Sequence, residues 1–145
     1  MERCLEVGQK IFLLSAYETS AADFFQTLVR NKADLMLDVR QGNTSQLCGF
    51  TKKKDLAFFV PQLTGADYIH DVVFAPDREL LDLYTKYHMP WEDYAREYEK
   101  IIRKRDGVAH FKERYGKYHS VCLLGTATRK RRSHNEVLRD LLLNS

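Results

Sequence analysis

A chain of 145 residues with 44% hydrophobic and 30% charged side chains has the size and balance of about one globular domain, able to bury roughly two-thirds of its unfolded surface without disulfides or metals. The net charge of +3 is too mild to indicate a nucleic-acid binder. Three cysteines (Cys4, Cys48, Cys122) lack CxxC spacing and do not suit a disulfide framework, and without an apolar signal segment or an apolar run of about 18 residues the expected setting is cytoplasmic, away from membranes.

Lys10 to Ser15 reads as the first core strand. Ser20 with Asp23 three residues on resembles a helix-capping pair, and Phe24, Phe25, Leu28 and Val29 recur on one helical face up to Asn31-Lys32. Leu35 to Leu37 is then a short apolar run, the form a buried parallel strand takes, giving a βαβ unit. The run leads into Asp38 and Arg40, which share one side of the strand at period two. They form either a structural ion pair or an acid beside an anion-binding group, at the strand end where open α/β sheets place ligands.

After a polar loop, Thr51 is placed to cap a helix with Leu56, Ala57, Phe59, Val60 and Leu63 on its apolar side, ending or bending near Pro61. Tyr68 to Phe74 predicts a third strand, and Asp77 to Tyr87 a helix. A stronger helix starts at Pro90, carries Trp91, Tyr94, Ala95, Tyr98, Ile101 and Ile102 at helical spacing, and stops at Gly107. A short helix around His110-Phe111 ends near Gly116. Ser120 to Gly125 is the last strand, with Cys122 as a small core residue. Ser133 and Glu136 make a capping box for a final helix with Val137, Leu138, Leu141 and Leu142 on its buried face. The reading is α/β: a single three-layer α/β/α domain over residues 1–145, with a small, mostly parallel sheet.

Several of these segments, in this order, resemble the family known as domain of unknown function 488, over most of residues 10 to 142. The matching pieces are the Ile11 strand with Ser20-Ala21-Ala22-Asp23-Phe24-Phe25, then Leu37-Asp38-Val39-Arg40, Gly49-Phe50-Thr51-Lys52-Lys53-Lys54 and Asp67-Tyr68-Ile69-His70. Val121-Cys122-Leu123-Leu124 with His134 and the apolar helix completes the set. The resemblance implies an α/β domain with no settled activity. The chain departs from the family where members commonly carry Gly-His-Ser after the first strand, a Cys after the last strand and Cys-His-Arg at the final helix. Here those places read Ser15-Ala16-Tyr17, Gly125 and Ser133-His134-Asn135. A thiol or metal-cysteine mechanism therefore does not carry over. Leu37-Asp38-Val39-Arg40 also resembles the strand end of rhodanese-like sulfurtransferases, whose chemistry needs a loop cysteine; Gly125-Thr126-Ala127-Thr128 supplies none.

Lys52 to Lys54 and Arg129 to Arg132 concentrate seven of the 23 basic residues at two predicted helix starts. Positive charge there opposes the helix dipole by roughly 0.3–1 kcal/mol per well-placed charge, and a local rule broken twice points mildly to function. Unpaired N–H groups at the same ends can hold an anion together with the side chains. Each cluster alone is a solvated loop; their predicted convergence beside Asp38 tips the balance toward an anion. His134, in a first helical turn, is expected to be neutral and able to act as a base, although a helix-start histidine more often caps or faces solvent. His88, His110 and His119 have no zinc spacing, and the Tyr84–Tyr98 aromatics have the spacing of a core.

The expected function is an uncharacterised intracellular protein binding a phosphate-bearing ligand (a nucleotide, a phosphorylated small molecule or nucleic acid) at the C-terminal edge of the sheet. Arg40, Lys52, Lys53, Arg129 and Arg132 are the expected anion contacts, and Asp38 and His134 the acid–base candidates if chemistry occurs. No cofactor or metal is expected, and oligomeric state is open. The alternative is a catalytically silent protein-interaction module.

Overall fold

Four short apolar runs become strands: β1 (Lys10–Ser15), β2 (Leu35–Asp38), β3 (Asp67–His70) and β4 (Ser120–Gly125). The computed structural model describes residues 8–42 and 46–145, with no side-chain description for 46–48. The strands pair in the order β1-β4-β2-β3, and every pairing is parallel. All four strand ends therefore open on one edge. The two central strands, β2 and β4, are buried at every position, in keeping with their apolar runs Leu35–Leu37 and Val121–Leu124.

Helices cover both faces. Met36, Cys122 and Leu124 turn toward α1 (Ala21–Arg30) and α2 (Lys53–Thr64), packing with Phe24, Leu28, Leu56 and Val60. Leu35, Leu37, Val121 and Leu123 turn the other way. That second layer contains α3 (Arg78–Thr85), α4 (Trp91–Lys104), α5 (Gly107–Tyr115) and α6 (Asn135–Leu143), through Leu80, Tyr94, Tyr98, Ile102, Phe111 and Leu138. Alternation along each strand thus builds two cores from one sheet. Each fully buried Leu or Phe contributes roughly 1.5–3 kcal/mol relative to exposure. Burial pushes the Cys122 thiol up, which makes it an inert core group.

Several local expectations change. The third strand stops at His70, because the Asp71 carboxylate accepts the Val73 N–H at 3.1 Å and turns the chain into a 3-10 turn over Val72–Phe74. The second helix runs through Pro61 to Thr64 and closes on Gly65, whose φ of 78° suits a residue without a Cβ. Gly107 opens α5 rather than ending α4; a Cβ there would lie 2.7 Å from Ile102 Cγ2. The capping pair at Ser20 forms as expected, its Oγ accepting the Asp23 N–H at 3.1 Å.

Two predicted caps are absent. The Thr51 hydroxyl donates to the Ala16 carbonyl at 3.1 Å, and Lys52 takes the N-cap position of α2 with no side-chain capping bond. Ser133 Oγ accepts the Thr126 N–H at 3.0 Å, while Glu136 pairs with Arg132, so the capping box at α6 does not form. The Thr51 bond ties the segment before α2 to the one after β1, and the Ser133 bond folds the loop after β4 back on itself.

Candidate functional site

At that edge, Asp38 and Arg40 are 0% and 1% exposed. Arg40 Nε donates to Asp38 Oδ1 and Arg40 Nη2 to Asp38 Oδ2, both at 2.8 Å. Arg40 Nη2 also donates to the Thr51 carbonyl at 2.6 Å, and the Tyr68 hydroxyl donates to Asp38 Oδ2 at 2.5 Å. Burial, with the Asp38 carboxylate beside it, pushes the Tyr68 phenol up, which keeps it a proton donor. Period-two geometry brought the ion pair together, and β3 and the loop before α2 supplied the partners.

His134 is 2% exposed at the N-cap of α6. Its Nε2–H donates to the Val39 carbonyl at 2.6 Å, which leaves Nδ1 as the lone-pair nitrogen, 3.5 Å from Ser133 Oγ. Burial pushes its pKa down to about 4, against the opposing pull of the Val39 carbonyl and Asp38. The imidazole is neutral near pH 7. Asn135 completes the turn: its Nδ2 donates to the carbonyls of Leu14 at 3.2 Å and Leu123 at 3.0 Å. The start of α6 is thereby fastened to β1, β2 and β4 at once.

Gly125 makes this approach possible. A Cβ there would lie 2.5 Å from Asn135 Cγ and 2.7 Å from Ser133 Oγ.

Around these buried groups lies a cleft of about 400 Å³, lined by segments after β1, β2 and β4 and by α3 and α4. Among the described residues, four arginines line it (Arg40, Arg78, Arg131 and Arg132), and no aspartate or glutamate does. Tyr17, Tyr84, Thr126, Thr128 and Ser133 add hydroxyls. Arg132 is also bound to Glu136 through Nε at 3.0 Å and rests 4.4 Å from the ring centre of Trp91.

The family model "Domain of unknown function DUF488" matches residues 20–142. The chain belongs to this family. No curated protein and no solved structure matches it significantly.

In this DUF488 chain, the structure brings Arg40, Arg132 and His134 into one cleft wall. Asp38 lies behind Arg40, fully buried and outside the lining. Lys52 pairs with Asp55 at 2.5 Å, Lys53 is exposed on α2, and neither lines the cleft. Arg129 lies 3.7 Å from Glu18 with its side chain 90% exposed, also outside the lining. A tight turn explains the split within the second basic run. Thr128 N–H donates to the Arg131 carbonyl at 2.9 Å, so Arg129 and Lys130 form the tip and Arg131 and Arg132 return to the cleft.

Arg78, Arg131, Tyr17 and Ser133 were not singled out from the sequence as ligand contacts. Arg131 lay inside a flagged basic run; Arg78 gave no local signal, since only the packing of α3 carries it to the cleft. Among the described residues, no group of three or more His, Cys, Asp or Glu is placed to hold a metal ion, and no helix is long and apolar enough to cross a membrane.

Proposed function

We propose that this protein binds a phosphate-bearing ligand in the cleft at the C-terminal edge of its sheet. The observation that carries the reading is the lining itself: four arginines and, among the described residues, no carboxylate around a cleft at the ends of parallel strands. Open α/β sheets bind ligands at this edge, and arginine matches phosphate oxygens with fixed, paired donors. Arg40, Arg78, Arg131 and Arg132 are the anion contacts in this reading. Asp38 acts through Arg40, fixing its plane, and neutral His134 supports the wall without adding a charge. Lys52, Lys53 and Arg129 lie outside the reading, and no reaction is assigned.

The test is titration of nucleoside phosphates, sugar phosphates and short oligonucleotides at low salt, followed by thermal shift, with the wild type and an Arg78→Glu, Arg131→Glu variant. Binding by the wild type and its loss in the variant is the expected result. Equal binding by both proteins would overturn the assignment.

A second reading, a protein-interaction module, draws on the outer face of α1 and α2. Val29, Phe58 and Leu63 are 55%, 61% and 56% exposed there, and such apolar patches mark interaction sites. Cross-linking that finds no complex dependent on Phe58 would remove its support.

A further inference from the structure

The distribution of groups with depth in the cleft narrows the ligand class, and this step rests on the phosphate-binding reading above. Arg40, Ser133 and His134 are 1%, 2% and 2% exposed and form the floor. Arg78, Arg131 and Arg132 are exposed and form the rim. At the floor, no side chain caps α6; its Glu136 N–H is taken by the Ser133 carbonyl at 3.3 Å, and the helix start carries the positive end of the dipole. Ser133 Oγ accepts the Thr126 N–H at 3.0 Å, and its own proton faces either His134 Nδ1, at 3.5 Å, or a ligand in the cleft. The Thr126 hydroxyl stands 3.4 Å from the same oxygen.

Depth separates two kinds of phosphate. An internal phosphodiester of a polynucleotide carries a sugar on each side, so it can meet cations at a rim but cannot reach a nearly closed floor without both sugars following. A terminal phosphomonoester carries one substituent and three non-bridging oxygens, and it enters end-on. The surface beyond the cleft separates them again. Arg129 is beside Glu18, Lys52 is bound to Asp55, and Lys53 and Lys54 stand outside the lining. Among the described residues, the basic charge beyond the lining is therefore interrupted by carboxylate partners, with Lys130 at the turn tip as the exposed cation next to the rim. The volume of about 400 Å³ lies within the usual range for small-molecule sites.

We infer that the cleft takes a terminal phosphomonoester, its phosphate entering toward the floor made by Arg40, Ser133 and the start of α6 and met from the rim by Arg78, Arg131 and Arg132, with the rest of the molecule toward the mouth. The shared chemistry belongs both to a free nucleotide or sugar phosphate and to the phosphorylated end of an oligonucleotide.

The experiment compares matched probes on the intact wild-type protein by thermal shift at low salt. The probes are the four nucleoside 5′-monophosphates, ribose 5-phosphate, the methyl phosphodiester of each nucleotide, and one single-stranded oligonucleotide bearing either a 5′-phosphate or a 5′-hydroxyl. The monoesters are expected to bind at least about tenfold more tightly than their methyl esters, the usual consequence of losing one charge-assisted hydrogen bond. A phosphate whose second pKa is near 6 gains its second charge between pH 5 and 7.5, so monoester binding should strengthen roughly tenfold over that range while diester binding stays flat.

The ionisable groups facing the ligand leave that signal clean. They are the guanidiniums of Arg40, Arg78, Arg131 and Arg132, the phenols of Tyr17, Tyr84 and Tyr94, and His134. Burial pushes the phenols of Tyr84 and Tyr94 up, away from this range, and His134, pushed down to about 4, is neutral within it. Binding by the 5′-phosphorylated oligonucleotide alone supports the inference and names the polymer end as the source. Equal binding of monoester and methyl ester, or of the two oligonucleotides, overturns it and leaves the phosphate-binding reading standing. No shift with any probe overturns both.

Discussion

Asp38 and Arg40, one residue apart at the end of a central strand, form a two-point ion pair with both N–O distances at 2.8 Å and essentially no solvent access. Such a pair is a poor source of net stability but an expensive one to break, because the survivor is a buried, uncompensated charge. Arg40→Leu and Asp38→Leu should each cost about 3–5 kcal/mol in chemical denaturation. The double variant should cost less than the sum of the two. Additive losses in this double-mutant cycle would mean that the two groups act independently.

His134 sets a pH dependence. Its folded pKa is depressed from 6.5 to about 4, so between those values the unfolded chain binds a proton that the folded chain refuses. Stability therefore falls as pH drops through this window, by about 3 kcal/mol in total. His134→Gln keeps a donor for the Val39 carbonyl and removes the titration. Its stability profile between pH 6.5 and 4.5 should be flatter than that of the wild type by about 2 kcal/mol, the part of that loss that falls inside this interval. An unchanged slope would show that other groups control acid sensitivity.

Gly125→Ala places a methyl group 2.5 Å from Asn135 Cγ and 2.7 Å from Ser133 Oγ, both on residues that are almost fully buried. Overpacking of this kind costs typically about 1–3 kcal/mol. Because the displaced atoms fasten the start of α6, ligand affinity should fall along with the melting temperature. A stable variant with unchanged affinity would show that the loop yields at no cost.

Lys53 is exposed in the first turn of α2, away from the cleft. Reversing its charge improves the match with the helix dipole. Lys53→Glu should stabilise the protein by roughly 0.3–1 kcal/mol at low ionic strength and leave phosphate binding unchanged. A loss of binding would bring the first basic cluster back into the site.

Where a signal was local, it was readable in the sequence. The strands are short apolar runs bounded by polar residues, and Asp38 and Arg40 announce themselves by spacing alone. Misread features depended on which of several possible partners, near or far along the chain, takes a side chain. Ser133 and Glu136 have the spacing of a capping box, but Ser133 is taken by the Thr126 N–H and Glu136 by Arg132. Thr51 likewise serves Ala16, 35 residues earlier, instead of its own helix. The cleft was legible only in outline, because a basic run does not disclose which members a turn directs inward. The Thr128–Arg131 turn sends Arg129 out and Arg131 in, and α3 adds Arg78 with no mark in the sequence near the strand ends.

Trp91 is the only tryptophan in the chain, and the guanidinium that rests on its ring belongs to Arg132, at the cleft rim. The protein therefore carries its own optical gauge of occupancy. A ligand that draws Arg132 off the indole, or pins it there, changes the emission of a single fluorophore against a background of tyrosines. Replacing Arg132 should silence that response even where the remaining arginines still hold the ligand, so binding and the movement of one side chain can be followed separately in unlabelled protein.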